Sequence, residues 1–481
     1  MKQGSPAGSL SVLSQNDLQR IHQAGLALLD RPGIRSESDL VLDLFERAGA
    51  RVDRDARTIQ VPADMVGAAL RSAPRSFVMH GLDPQFDLLI ELGRVYYGVG
   101  GTSEPYFFDY ASGRPRRPTR ADMVSVTRVG HALAHMDFMI TLCSSGDVPV
   151  NQVFLHDTNA ILRNTTKPVV FSVLGRRYMT RILQMCAAAC GGEDELRRRP
   201  QGMGMTTPVS PLTFPRLIEG VFDAVEFGMP ILYAPGPMMG GTGPATVAGT
   251  LALTAAELLF GVVLVQLIKP GAPLVLKTDA DVMDPVTGQC TYGSPEQALG
   301  KAALAQLGRM YQLPTFTMGG GVEAKLPDSE AAAEATLGML MNGLAGITLS
   351  QAQGTLASGL YGSMEQLVIC DEIAHMVKRV LDGIVVDDDT LALDVIRQVG
   401  CGGNFLMEDH TLRHFKHELF FPGLFRRQTI DQWLSRGAPA MVEVAHQKVE
   451  EILVGAGPVP LPPGADAALE RVLHEAIAEL G

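Results

Sequence analysis

RVYYGVGG (94–101) is the first of eight short apolar runs that alternate with helical stretches as far as about residue 382. The others are MDFMITLCSS (136–145), PVVFSVLG (168–175), GMGMTTP (202–208), PILYAPG (230–236), PLVLKTDA (273–280), PTFTMGGG (314–321) and GITLSQ (346–351). Between them lie amphipathic stretches of helical length, such as RADMVSVTRVGHALAHM (120–136), TVAGTLALTAAELLFGVVLVQL (246–267) and PEQALGKAALAQLGRMY (295–311). Each parallel crossover needs a helix to return the chain, so this beat predicts an α/β fold: a (β/α)8 TIM barrel with N-terminal and C-terminal helical extensions. An open doubly wound sheet is the rival reading.

The barrel region spans 91–385, a usual size for that fold. Residues 1–90 read as an N-terminal helical extension, with SQNDLQRIHQAGLALLD opening on a serine cap and SDLVLDLFERAGA repeating apolar residues at three and four. Residues 386–481 read as a C-terminal helical extension, broken at VGCGGNF and at PVPLPPG (458–464), with a last helix from about Asp466.

A net charge of -12, with RPRRPTR and RRRP as the only short basic runs, argues against nucleic acid. It also suits a cationic substrate, although mild acidity is common among cytosolic proteins. The apolar stretch at 251–268 carries Glu257 and is read as short of a membrane span, and the amino terminus shows no signal core, so a cytoplasmic protein is expected. Six cysteines make no disulfide framework. Cys186 and Cys190 lie four apart in an apolar helix and read as core, Cys143 has no metal-ligand companions, and no bound metal is expected.

In a barrel, chemistry sits at the carboxyl ends of the strands. There the runs deliver Gly100, Thr102, Ser103 and Glu104, then Cys143, Ser144 and Asp147, then Ser172, and then Thr206, Thr207 and Ser210. The later runs end at PGPMMGGTGP (235–244), at Lys277 and Asp279, at GGGVEAK (319–325), and at Gln351 and Gln353. The glycine-rich loop matches no phosphate-binding fingerprint. Lys277 on strand six suggests a Schiff-base lyase of the aldolase type, but Asp279 and Asp281 would hold the lysine charged. Acid and base candidates are Glu104, Asp147, His156, Asp157, Asp279 and Glu323, with no evident dyad. Aromatics crowd EPYFFDY (104–110) beside Tyr96 and Tyr97, and Phe214, Tyr233, Tyr292 and Tyr361 lie near loop ends. Carboxylates among aromatic faces suit a quaternary ammonium ion, which donates no hydrogen bond and is held by charge and cation–π contact.

LRNTTKPVVFS (162–172), GTGPATVAGTLALTAAELLFGVVLVQLIKPGAP (241–273), YGSPE (292–296), SMEQLVICDEIAHMVKRVLDGI (363–384), TLALDVIRQVG (390–400) and HTLRHFKHELFFP (410–422) resemble the trimethylamine methyltransferase family of corrinoid-dependent enzymes. The resemblance covers nearly everything after residue 90 and implies a (β/α)8 barrel. Founding members carry pyrrolysine at the barrel mouth. This chain has none, and the matching place falls near Gly319, Gly320, Gly321 and Glu323, the expected reaction chamber. Members without pyrrolysine resemble demethylases of quaternary amines such as glycine betaine.

The resemblance therefore implies transfer of a methyl group from a quaternary amine to the Co(I) of a cobalamin or other corrinoid on a separate cognate protein. A non-catalytic quaternary amine binding protein remains the other alternative to the lyase. No Asp-x-His-x-x-Gly ligand loop is present, so the corrinoid is expected from the partner; no membrane partner is expected, and a homo-oligomer is. The expected ammonium pocket is Tyr97, Glu104, Tyr106 and Phe107, with Phe214 and Tyr361 outside it. A substrate carboxylate would find its donor in His156, Lys325 or Gln351.

Overall fold

The computed structural model describes residues 1–2, 4–101 and 104–480, so Thr102 and Ser103 lie outside the described residues. Its centre is a curled parallel sheet whose strands, numbered in chain order, are β1 (Arg94–Val99), β2 (Phe138–Met139), β3 (Val170–Ser172), β4 (Met203–Thr206), β5 (Ile231–Tyr233), β6 (Leu274–Lys277), β7 (Thr315–Met318) and β8 (Leu349–Gln353). Each falls within or overlaps one of the eight apolar runs. The spatial order is β2-β1-β8-β7-β6-β5-β4-β3, with all seven pairings parallel. The two ends, β2 and β3, meet through one parallel bridge, Met139 to Val169, with the Met139 N–H donating to the Pro168 carbonyl at 2.9 Å. The strand Ser5–Pro6 runs antiparallel along the start of β1.

The connecting helices are α1 (Arg120–Ala132), α2 (Val153–Asn164), α3 (Arg176–Cys190), α4 (Gly220–Phe227), α5 (Val247–Ile268), α6 (Pro295–Tyr311), α7 (Ser329–Ala345) and α8 (Met364–Leu381). Five of them start at a capping side chain that accepts from the first-turn backbone: Thr119, Thr246, Ser294, Asp328 and Ser363. Each cap satisfies a backbone N–H that the helix leaves unpaired and so fixes where the loop ends.

Side chains alternate across a strand, and the core is accordingly double. Inside the curl pack Tyr96, Phe138, Val170, Met203, Met205, Leu232, Val275, Phe316 and Leu349, joined from below by Met79, Leu88 and Ile90 of the hairpin Ser76–Met79/Leu88–Glu91. Between sheet and helices lies the larger cluster, which includes Val95, Tyr97, Val99, Leu274 and Leu276.

Two expectations are corrected. The amino-terminal region is not wholly helical: Ile34–Ser36, Arg51–Asp53 and Thr58–Gln60 form a sheet that takes Thr213–Phe214 from the loop after β4 as its fourth strand. In addition, α5 is 22 residues long and almost wholly apolar, so by length and composition it reaches a membrane span. It is the core helix of this protein, covered by helices Gln15–Asp30 and Ala63–Ser72. Its Glu257, buried at 3% exposure, holds Ser210 Oγ at 2.8 Å and the Leu212 N–H at 2.7 Å.

Candidate functional site

β8 changes register between Ser350 and Gln353, and within this irregularity Ala352, fully buried, has a φ of 72°. A residue other than glycine held there is strained, and such strain is found where a strand end must aim a particular side chain. The bulge is tied on both sides. The Gln351 carbonyl accepts from the Gly319 and Gly320 N–H groups at 2.7 and 3.2 Å, while Ala352 N–H donates to the Gly100 carbonyl at 2.7 Å and Gly100 N–H to the Gln353 carbonyl at 3.1 Å. Gln351 lies two positions beyond Leu349, whose side chain is in the inner core. Gln351 and Gln353 are both fully buried, and no amide atom of either has a hydrogen-bond partner among the described residues. Four such atoms on two residues of one strand end are exceptional, since buried polar groups are nearly always satisfied by protein, water or ligand.

Beside them stands Glu104, 2% exposed, whose Oε1 accepts from Thr355 Oγ1 at 2.7 Å. A Cβ on Gly101 would fall 2.4 Å from that carboxylate, which is why glycine precedes it there. On the other flank the Tyr292 ring lies against Gly321 and Gly359. Burial, and then the carboxylates of Asp281, Asp279 and Glu104 together with Cys290, hold its phenol well above the usual range. Two of these acids face cations of the chain: Lys277 is paired with Asp279, and Lys301 lies near both Asp279 and Asp281.

Asp279 is neutralised locally by Lys277 and accepts from Thr317 Oγ1 at 2.9 Å and Met318 N–H at 2.7 Å. Asp281 accepts from Gln297 Nε2 at 3.0 Å, and Lys301 donates to the same glutamine at 2.7 Å. Although Asp281 keeps some surface exposure, its surroundings and then the Asp279 carboxylate push its pKa up to about 6. A small sheet, Tyr106–Asp109, Arg114–Arg116, Thr355–Leu356 and Tyr361–Gly362, rises from the ends of β1 and β8 beside this group.

Of the residues singled out in the sequence, the structure brings together Glu104, Gln351 and the three glycines. The glycines are not an open chamber. None has a positive φ, and a Cβ would meet Ser350 Oγ at 2.1 Å from Gly319, Gln353 Cα at 3.0 Å from Gly320, and the Tyr292 ring at 3.1 Å from Gly321. They are small because β8 and Tyr292 pack onto them. Glu323 is partly buried, with its N–H donating to Glu334 Oε2 at 2.6 Å, and Lys325 is exposed, its Nζ bonded to the Glu323 carbonyl at 2.6 Å. Tyr361 donates to the Lys325 carbonyl.

The remaining aromatic picks are corrected. Tyr97 points outward between sheet and helices, its hydroxyl 3.3 Å from the Met339 carbonyl. Phe214 is fully buried beside Phe260, with ring centroids 6.4 Å apart. Tyr106 and Phe107 already carry cations of this chain, Arg117 at 4.5 Å and Arg116 at 5.8 Å from their ring centroids. His156 lies on α2 in an outer groove of about 470 Å³ with Asp147 and Arg163. Five grooves of 410 to 500 Å³ among the described residues lie between outer elements, and none of these five is lined by Glu104, Tyr292, Gln351 or Gln353.

Tyr292 and Gln353 were named at loop and strand ends and Asp281 beside Lys277, but none of the three was chosen for the expected pocket. Neither Gln353 nor Asp281 followed from strand period two, because the register breaks at Ala352 between Gln351 and Gln353, and Asp279 and Asp281 lie past the end of β6 with Ala280 at a φ of 49° between them. Among the described residues one group has the composition of a metal site, Asp389 with His410 and His414, far along the chain from the strand ends. Asp389 there already meets Arg413 at 3.4 Å and His414 at 3.0 Å. The six cysteines are free thiols, and Lys277, the lyase candidate, is ion-paired with Asp279.

A family model described as trimethylamine methyltransferase matches residues 3–481. The chain belongs to the trimethylamine methyltransferase family. Trimethylamine methyltransferase MttB of Desulfitobacterium hafniense (strain DSM 10664 / DCB-2) is 34% identical over 477 residues, which cover 98% of this chain and 95% of that protein. Glycine betaine methyltransferase of Desulfitobacterium hafniense (strain Y51) is 29% identical, covering 98% of each. Trimethylamine methyltransferase MttB of Methanosarcina barkeri is 32% identical over 92% of this chain and 90% of its own. Members of the family are thus methyltransferases, and this chain is similar to them over nearly its whole length. Among solved structures, a dihydropteroate synthase of Xanthomonas albilineans aligns with a TM-score of 0.37 and 14% identity, over 62% of this chain and 97% of that one, a likeness too remote to carry an argument.

Proposed function

We propose that the protein takes a methyl group from a quaternary ammonium compound of the glycine betaine kind and passes it to the Co(I) of a corrinoid carried by a separate protein. The same reading takes the curled sheet as a (β/α)8 barrel, with the Met139–Val169 bridge as its seam. The observation that carries the proposal is the group at the strand ends: one aromatic ring, Tyr292, in the field of the Glu104 and Asp281 carboxylates, near two carboxamides whose amide atoms have no partner among the described residues.

A quaternary nitrogen is attracted by that field and that ring face. Its methyl group leaves a neutral tertiary amine, so the reaction needs position and charge rather than a proton donor. The N–H groups of Gln351 and Gln353 suit the carboxylate at the other end of a betaine. When bound, the corrinoid supplies the nucleophile. Everything else asked of this chain is orientation and exclusion of water.

Mixing the protein with free Co(I) cobalamin and a panel of quaternary amines is expected to give the absorbance change of methyl-Co(III). No change across the panel, together with a carbonyl substrate trapped on Lys277 by borohydride, would replace the proposal by the lyase reading. Binding of a betaine without turnover, even with a cognate corrinoid protein present, would leave a binding protein.

The raised pKa of Asp281 adds a pH dependence. The carboxylate is charged above about pH 6 and neutral below it, so its attraction for a cation is present at neutral pH and is lost as pH falls through 6. KM is expected to rise several-fold between pH 7 and pH 5, and Asp281→Asn to raise KM at pH 7 and flatten that profile. An unaltered profile in the variant would take Asp281 out of the site.

A further inference from the structure

Two stretches singled out in the sequence take no part in the group at the strand ends: TLALDVIRQVG (390–400) and HTLRHFKHELFFP (410–422), both beyond α8. They meet at Asp389. The helix Asp388–Leu391 carries this residue, and the helix Asp409–Glu418 carries His410 and His414, four apart and therefore on one face. One nitrogen of each imidazole and one oxygen of the carboxylate all lie within 4.8 Å of one another, and the two ring centroids are 4.2 Å apart. Neither helix contains a buried residue, so no apolar core brings these three side chains together.

The carboxylate is divided between two neighbours. Its Oδ1 faces Arg413 Nη2 at 3.4 Å, while its Oδ2 lies 3.0 Å from His414 Nε2. That second contact has the length of a hydrogen bond without its direction: Nε2 is shielded from solvent and makes no aligned hydrogen bond among the described residues. A protonated imidazole would turn its N–H onto the carboxylate. Two atoms bound to one ion stand differently, each aimed at the ion between them, and at about 2.0–2.2 Å from zinc they lie roughly 3.0–3.4 Å apart. His410 Nε2 is 3.0 Å from the Asp389 carbonyl oxygen, a contact that holds this ring beside the same residue.

We propose that Asp389, His410 and His414 bind one zinc ion, with water as the fourth ligand. Two imidazoles and a carboxylate suit zinc, whereas magnesium and calcium take oxygen ligands. Asp387 and Asp388 place two further carboxylates next to Asp389 along the chain, so the local field favours a cation even with Arg413 present. The five outer grooves are not lined by any of the three ligands, and the ion therefore serves as a clip between two short helices that do not pack on each other through a core. Cysteines guided the expectation of a metal-free chain, and this site uses none. It is also independent of the reading of the strand ends as a methyl-transfer site.

The test is titration of the full chain, stripped by a chelator and free of affinity histidines, with Zn2+ by calorimetry and with Co2+ by absorption. One Zn2+ per chain with a dissociation constant in the micromolar range or below is expected. Co2+ is expected to give visible bands without the near-ultraviolet band of a thiolate. Losing a group that only orients a ligand costs roughly 10- to 100-fold in metal affinity, so His410→Gln and, separately, His414→Gln should each weaken binding at least about 100-fold. His417→Gln, an exposed histidine on the same helix outside the group, should bind as the natural chain does.

Should the ligand variants fail to fold, hydrogen exchange on the natural sequence decides. Amides of residues 388–418 that slow several-fold when Zn2+ is added support the proposal, and amides that exchange alike with and without Zn2+ overturn it. Zinc bound only at millimolar concentration, a thiolate band with Co2+, or affinity that both ligand variants leave intact also overturns it. So does a loss in His417→Gln as large as in the other two.

Discussion

Gln353→Leu is expected to make the protein more stable and to disable the proposed methyl transfer. Both amide atoms of Gln353 are buried without a partner among the described residues, and a buried polar group left unsatisfied costs about 1–3 kcal/mol. Leucine fits a similar volume and removes that cost, so the unfolding free energy should rise by roughly 1–2 kcal/mol, read as a higher melting temperature. If the carboxamide N–H holds the substrate's carboxylate, the same change removes a hydrogen bond to a charged group. That bond is worth about 1.5–3 kcal/mol, or roughly 10- to 100-fold in kcat/KM. Gln351→Leu should behave alike. The two signs together make the test specific. A lower melting temperature with unaltered turnover would mean that the amides serve the fold alone.

The pattern of eight runs was legible because each strand of the sheet is buried on both faces and therefore reads as a continuous apolar word. The ends of those words belong to loops, which is why β2 is only Phe138–Met139: Asp137, just before it, turns its carboxylate onto the Tyr97 N–H at 3.1 Å. The amino-terminal strands stayed hidden, since Arg51–Asp53 and Thr58–Gln60 are three residues each, separated by a charged turn, and carry no readable period. At the site the difficulty was parity. Of two adjacent tyrosines one must face the inner core and one the helices, and it is Tyr96 that turns inward and Tyr97 that does not.

Nor does residue type reveal prior occupation. EPYFFDY looks like an aromatic cage, but arginines 116 and 117, ten residues further on, already lie over two of its rings. The glycines at 319–321 carried the opposite ambiguity. Glycine marks either open space or close packing, and only the neighbouring β8 backbone and the Tyr292 ring decide for packing here.

Glu104→Gln should separate binding from chemistry. Glutamine keeps the shape and the acceptor that meets Thr355 Oγ1, so the fold is expected to survive. What is lost is one negative charge at 2% exposure. A charge so poorly screened attracts a cation far more strongly than a surface carboxylate does, and its removal should weaken substrate binding by about 1.5–3 kcal/mol, raising KM roughly 10- to 100-fold. The effect on kcat should go the other way or vanish. As the methyl group departs, the nitrogen loses its positive charge, so a carboxylate that stabilises the bound cation stabilises the transition state less. Removing it therefore penalises the ground state more than the barrier, a pattern of raised KM with kcat unchanged or somewhat higher. A kcat that falls with KM constant would instead assign Glu104 to the reacting geometry. An affinity for the cation that does not change would remove it from the site and leave Asp281 and Tyr292 to hold the ammonium group.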